Sequence, residues 1–379
     1  MTTFSPPRAC AAGAACAARA AYAAIALATL NTTAHADPHT GSGPLADTHA
    51  PAGVMFDHMH KADGAMIGFR YANTSAGSPT LHGIHTVTDY VIAEKGCSPH
   101  TCSMKTTDMT MNMYMLDIMY APTDWVTLMV MPMWMTHDMT MSPLHLTHHG
   151  GHDENGGGHA GGGHSGGHGG HSGPHSHGID GWGDTIFGPE LRLAHGPNYH
   201  LQFAPMFSAP TGKVDYKTNG VFTHYGMQLG SGTWDFLPSL TYTGRSDRLT
   251  WGAQVLGIVR MEKENESGYR LGDVFQGTGW VSYLFADWIS ASIRGLYTEQ
   301  GKIEGHYNGA HNHSSPPDLQ FNYGGRFWDI GFGVNTVVPS GPLKGLRLSA
   351  EWLQPVDDRP GGYQPRRDGT IWANASMAF

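Results

Sequence analysis

Methionine occupies every second position in two stretches of the chain: Met109, Met111, Met113 and Met115, then Met129, Met131, Met133 and Met135, continued past His137 by Met139 and Met141. Side chains of a β-strand alternate between its two faces, so each stretch, if extended, aligns its sulfurs along one side of a sheet. A helix would scatter them. A row of thioethers is a set of soft ligands suited to Cu(I), and equally a pliable apolar surface that fills irregular space; the spacing admits both. Asp117 and His137 fall on the same face.

A second group is compositional. Residues 145–177 hold ten histidines, His145, His148, His149, His152, His159, His164, His168, His171, His175 and His177, set mostly among glycines. Such a tract cannot bury a core, so it is expected as a disordered external loop, and neutral imidazoles at high local density bind Cu(II), Zn(II) or Ni(II). The plain alternative is a solvated spacer. Smaller echoes occur in His58-Met59-His60 and in His306, His311 and His313. No cofactor is required by these patterns, and Cu or Zn ions are the candidates to be bound. Searches for catalytic constellations find no Gly-x-Ser-x-Gly elbow, no His-Glu-x-x-His and no phosphate-binding loop, so the chain is not expected to be an enzyme.

The residues between the methionines decide where these groups sit. Tyr114, Leu116, Ile118 and Tyr120 alternate with the first row, and Val126, Leu128, Val130 and Trp134 with the second. That face suits hydrocarbon flanked by aromatic rings, whereas Asp117 and His137 would be costly against lipid. The methionine rows are therefore expected to face the interior of a closed antiparallel up-and-down transmembrane β-barrel. The short link Ala121 to Asp124 makes the two rows neighbours, with Met115 opposite Met131 and Met113 opposite Met133. A four-residue link would force a slip or a bulge.

The ends agree with an exported barrel. Residues 1–36 carry Arg8 and Arg19 without an acidic residue, an apolar run from Ala20 to Leu30, and Ala34-His35-Ala36 before Asp37, which reads as a cleaved secretory signal. Without it, 20 basic face 31 acidic residues, a net charge of −11, which speaks against nucleic acid as a partner. Cys97 and Cys102 then remain, and in an exported protein they are expected to close a small disulfide loop, a soft-metal thiolate pair being the other reading. The chain ends on an alternating strand that stops at Phe379, which resembles the signal read by the barrel-assembly machinery of the bacterial outer membrane.

After a flexible periplasmic leader at 37–63, the barrel is expected over 64–379, with the His/Gly-rich loop at 140–181. Twelve segments of alternating character fall near 65–75, 109–120, 125–139, 182–194, 199–210, 232–243, 248–262, 273–285, 288–303, 326–337, 346–355 and 369–379. Tight and long connections alternate between them, as turns on one side and loops on the other require. Pro238 makes the sixth segment the weakest. Trp125, Trp134, Trp182, Tyr199, Trp234, Tyr242, Trp251, Trp280, Tyr283, Trp288, Trp328, Trp352 and Trp372 lie near segment ends, where a membrane boundary favours them. A soluble sandwich also alternates and uses Trp, but lacks reason for the signal and the loop pattern.

Ala121-Pro-Thr-Asp-Trp125, the run from Met227 to Gly244, Trp251-Gly-Ala-Gln254, Gly268-Tyr-Arg-Leu-Gly-Asp273 and the run from Gly324 to Asn335 together resemble a proteobacterial outer-membrane transporter group similar to the MetA-pathway phenol-degradation barrels. The resemblance spans about residues 55–379. It implies an outer-membrane barrel with a channel role, and supplies neither an agreed substrate nor catalytic residues. The loop at 145–177 is an elaboration on that pattern.

The functional expectation is an outer-membrane channel for a small solute, with a transition metal such as copper as favoured cargo, captured by the histidines and passed along the methionines. The alternatives are a channel for hydrophobic aromatic compounds, with the methionine wall as an adaptable groove, and a non-transporting metal-sequestering barrel whose lumen is plugged by the leader. Lipid and metal ions or a small solute are the expected partners.

Overall fold

In a computed structural model, residues 45–146 and 173–379 are described. They form one closed antiparallel barrel of twelve strands. In chain order these are β1 (Ala65–His82), β2 (Met104–Thr123), β3 (Val126–Met131 and Met133–Pro143), β4 (His175–Trp182 and Thr185–Gly196), β5 (Tyr199–Ala209), β6 (Asp235–Ser246), β7 (Leu249–Arg260), β8 (Val274–Ala286), β9 (Ile289–Gln300), β10 (Gly325–Val337), β11 (Arg347–Pro360) and β12 (Tyr363–Ala378). Each pairs with its chain neighbour, and β1 closes the cylinder by pairing with β12, from Met66 opposite Ala378 onward. All twelve expected segments are strands, the sixth with Pro238 included. Several run past their expected ends on the loop side. Residues 140–143 and 175–181, expected within the His/Gly-rich loop, are strand, because β2, β3 and β4 rise together above their neighbours.

Two-residue turns join β2–β3, β4–β5, β6–β7 and β8–β9 at one end. In the third, Asp247 takes a φ of 52°, the left-handed backbone that matches the twist of a tight hairpin. At the other end long loops fold over the barrel. Ile92, on a short helix (Asp89–Lys95), packs with Leu319 and with the Cys97–Cys102 disulfide. A second loop core stacks Tyr307 between Phe222 and Tyr225, each 4.2 Å away.

Period-two alternation sorts the side chains. Ile67, Phe69, Leu116, Ile118, Leu128, Val130, Val281, Ile293, Ile330, Phe332, Leu348 and Ile371 are exposed on the outside, an apolar belt for acyl chains. Trp125, Trp134, Trp182, Tyr199, Trp234, Tyr283, Trp288, Trp328 and Trp352 are exposed there too. Trp280 and Trp372 depart from the expected boundary role. They fall on the inward phase of β8 and β12, Trp280 against Ala50 and Val54, Trp372 against the methionine cluster.

The wall is discontinuous in two places. Between Phe187–Phe207 and Leu191–Phe203 the β4–β5 ladder lapses where Pro189 meets Pro205, and Pro205 in turn pairs with Pro238. Proline has no N–H to give a neighbour, so three adjacent prolines remove ladder bonds at one height. At the loop end, β11 and β12 pair only from Arg347–Ser376 to Leu353–Thr370; above that, β11 follows β10 and β12 follows β1. Side chains span the resulting seam, with Arg367 bonded to Asp358 at 2.6 Å and to Asp329 at 3.0 Å. A cavity of about 550 Å³ opens beside it, lined by Leu81, Ile84, Gln354, Pro355 and Val356 and by the charged Asp357, Asp358, Arg366, Arg367 and Asp368.

Replacing outward Val130 by Arg should cost about 2–4 kcal/mol in urea unfolding from vesicles, whereas the inward Met131→Leu exchange should cost less than about 1.5 kcal/mol. Equal costs would mean that the two faces have been assigned the wrong way round.

Candidate functional site

Both methionine rows face inward. Met115, Met119, Met129, Met131, Met139 and Met141 are buried, Met109, Met111, Met113, Met133 and Met135 half-buried, and Asp117 and His137 are buried on the same side. The cross-strand pairing differs from expectation. Met113 lies opposite Met135, Met115 opposite Met133, Met111 opposite His137 and Met109 opposite Met139, two residues away from the predicted register. The cause is local: the link shrinks to Asp124-Trp125, and Ala121-Pro122 becomes a bulge between Tyr120 and Thr123. A two-residue slip keeps each side chain on its face, so the wall survives the change.

Two clusters of this wall sit at different heights. Toward the turns, Phe56, Met66, Met115, Met119, Met129, Met131, Ile186, Met206, Leu237 and Leu256 form one core. Toward the loops, Met139 and Met141 pack with Met227, and with Met104, Met109 and Ile179 around them. Thr106 donates its hydroxyl toward the sulfurs of Met139 and Met141, at 3.8 and 3.5 Å. Met227 belongs to a loop turn (Tyr225–Met227) that dips into the barrel, where the His137 Nδ1 lies 2.9 Å from the carbonyl of Gly226. Tyr323 holds the same turn by accepting from the Gly226 N–H at 3.0 Å.

From the turn side the lumen is occupied by the chain itself. Residues 45–63, expected as a periplasmic leader, run inside the barrel with Ala46, Ala50, Ala52, Val54 and Phe56 buried. An extended segment with no strand partner must find other partners for its peptide groups, and inward side chains supply them. Arg70 donates to the carbonyls of Ala52 and Val54 at 2.9 and 3.1 Å, Gln202 to Phe56 at 2.7 Å, Gln254 to Met55 at 2.6 Å, Asn335 to His49 at 2.9 Å and Asn374 to Ala52 at 2.9 Å. Glu351 accepts the Gly53 N–H at 2.8 Å while gripping Arg294 through both oxygens. Gly53 passes so close that a Cβ would stand 2.5 Å from the Arg294 guanidinium and 2.9 Å from Trp372. This plug lies across the turn-side end of the barrel, with a space of about 310 Å³ left between Asp47–Ala50 and the wall at His195, Arg245 and Trp280.

Charges complete the interior. Arg70 pairs with Asp117 at 3.3 Å, and Arg245 reaches Asp47 of the plug at 3.2 Å. Glu190 is fully buried, with no hydrogen-bond partner for either carboxylate oxygen. Burial pushes the Asp57 carboxyl of the plug upward, but His58 beside it outweighs burial and holds it below the usual carboxylate range. In the loop cap, burial likewise raises Asp318, and the His224 hydrogen bond at 2.7 Å brings it below its ordinary value.

Of the histidines singled out from sequence, His175 and His177 lie on β4 with rings 4.8 Å apart, and His177 is 6.2 Å from His224. His148, His149, His152, His159, His164, His168 and His171 fall outside the described residues. Sequence reasoning missed Arg70, Gln202, Gln254, Asn335, Glu351 and Asn374 as the plug's holders. Their signal was only inward phase, which a water-filled bore would share.

Among solved structures, the chain is similar to an outer membrane channel from Pseudomonas putida F1, with 14% identity, a TM-score of 0.53, and 86% of this chain and 98% of that chain covered. It also aligns with a FadL homologue of Pseudomonas aeruginosa at 10% identity and a TM-score of 0.40, covering 88% of this chain and 96% of that chain. At these identities the first likeness bears on the fold and the second carries no argument. No curated protein matches the chain. The sequence profile of one family matches residues 151–352, more than half of the chain. This outer-membrane β-barrel belongs to the family described as "Putative MetA-pathway of phenol degradation".

Proposed function

We propose that the barrel is an outer-membrane channel for small hydrophobic aromatic compounds. The observation that carries this reading is the thioether wall, which runs from the loop turn at Met227 down to the plug at Phe56. Methionine is flexible and polarisable, and its sulfur makes favourable contacts with ring edges, so such a wall adapts to aromatic solutes of varied shape. The family's own description, which concerns phenol degradation, points the same way. Copper, the cargo favoured from sequence, is less well supported. The sulfurs pack against Leu237, Leu256, Ile186 and Ile179 as ordinary core neighbours do, and thioether ligands need room to converge on an ion.

The exit in this reading is sideways. The plug lies across the axis at the turn side, while the β11–β12 seam leaves the wall unladdered beside a groove where the apolar Leu81, Ile84 and Val356 adjoin charged Asp357, Asp358, Arg366, Arg367 and Asp368. A hydrophobic solute gains by leaving for lipid rather than for water.

Initial uptake of labelled toluene by cells expressing the barrel should rise severalfold over cells lacking it, with no rise for a sugar of similar size. A parallel rise for both would make it a general porin. Replacing Met113, Met115, Met131 and Met133 together by Leu keeps the apolar volume but removes the sulfurs and their flexibility, and should lower toluene uptake severalfold; unchanged uptake would reduce the rows to packing. Arg70→Ala removes two of the plug's hydrogen bonds, so in planar bilayers it should raise ion conductance through the axis without raising toluene uptake. A matching rise in toluene uptake would place the solute's exit through the plug.

A further inference from the structure

The plug carries a cluster that neither the channel reading nor the family accounts for. One nitrogen each from His49 and His58 and a carboxylate oxygen of Asp57 all lie within 4.8 Å of one another. The His49 and His58 rings are 3.9 Å apart, and the His60 ring stands 5.3 Å from that of His58. Asp57 ties the group into one turn, with one oxygen accepting the Ala50 N–H at 2.8 Å and the other 2.8 Å from the His58 Nδ1. The Nε2 atoms of both His58 and His60 are buried with no hydrogen-bond partner. An imidazole nitrogen left unpaired out of water is expensive unless something occupies it.

A small space adjoins these groups. A cavity of about 30 Å³ is lined by His49, Asp57 and His58, with Asp117, Arg70 and Arg347 across it. That volume holds a single water or ion and no organic solute. Arg70 is paired with Asp117, and Arg347, bonded to the Leu45 carbonyl and the Thr48 hydroxyl, is the cation that opposes a bound metal.

We propose that His49, Asp57 and His58 form a binding site for a divalent transition metal, with His60 within reach as a fourth donor. Two or three imidazoles with one carboxylate make a nitrogen and oxygen donor set suited to Zn(II) and neighbouring ions. The ligand atoms must draw together to about 3.4 Å for tetrahedral coordination, which requires the hydrogen bond between the His58 Nδ1 and Asp57 to give way to the ion. An ion there cross-links the two ends of the buried turn, His49 and His58, and so holds the plug in its folded course. This site is separate from the methionine wall and from the histidine tract at 145–177.

The test uses the purified full-length barrel in detergent, with zinc as the probe. By equilibrium dialysis, a His49→Gln/His58→Gln variant should bind about one zinc fewer per chain than wild type, the tract contributing equally to both. Equal stoichiometry and affinity would overturn the site and leave zinc on the tract only. Should the variant fail to give heat-modifiable mobility, the wild-type protein still decides: zinc should slow diethylpyrocarbonate modification of His49 and His58 about tenfold or more, read by peptide mass spectrometry, while exposed His85 is unaffected. Equal modification with and without zinc would reject the proposal, whatever the channel carries.

Discussion

Hydrocarbon offers a peptide group no hydrogen bond, and the architecture of this chain follows from that one constraint. Only a cylinder in which each strand satisfies its neighbour can stand in lipid. Closing the cylinder fixes the period-two sorting of side chains, Leu128 and Val130 outward and Met129 and Met131 inward. Where the ladder lapses along the β11–β12 seam, side chains take its place, those of the Arg367–Asp358–Asp329 charge group.

The same constraint operates a second time inside. The segment at 45–63 has no strand to pair with, and its carbonyls are met by arginine, glutamine and asparagine side chains projecting from β1, β5, β7, β10 and β12. The interior is thus polar where it holds backbone and sulfur-rich where it does not. A plug below, a loop turn above and a pliable wall between them are the parts on which the proposed transport rests.

Much of this was legible in the chain's letters. Alternation located the twelve strands and told inside from outside, because the methionine rows share a phase with Asp117 and His137 and the opposite phase is aliphatic. The register was missed by two residues, since nothing in Ala121-Pro-Thr-Asp says which of its residues will bulge. Strand length was underestimated on the loop side, where the strands lose their apolar alternation; His175 and His177 look like loop and are strand. The sequence raises the plug only as an alternative, a leader closing the lumen of a non-transporting barrel, and its holders were not legible. Most of its contacts join residues far apart in the chain, and Arg70 or Asn335 facing inward reads the same whether it meets water or main chain. Trp280 and Trp372 misled for a related reason, being aromatic rings assigned to a boundary that in fact serve as the plug's bed.

Much of the grip on the plug is on its main chain. Carbonyls of Leu45, His49, Ala52, Val54, Met55 and Phe56 are held, while Asp47 is held through its side chain by Arg245 and Thr250. A lock that recognises peptide groups rather than side chains leaves the key's lettering free to drift. Among homologues, the wall positions equivalent to Arg70, Gln202 and Gln254 should therefore vary less than the stretch they hold, except at Gly53, where no other residue has room, at Asp47, and at the proposed ligands His49, Asp57 and His58.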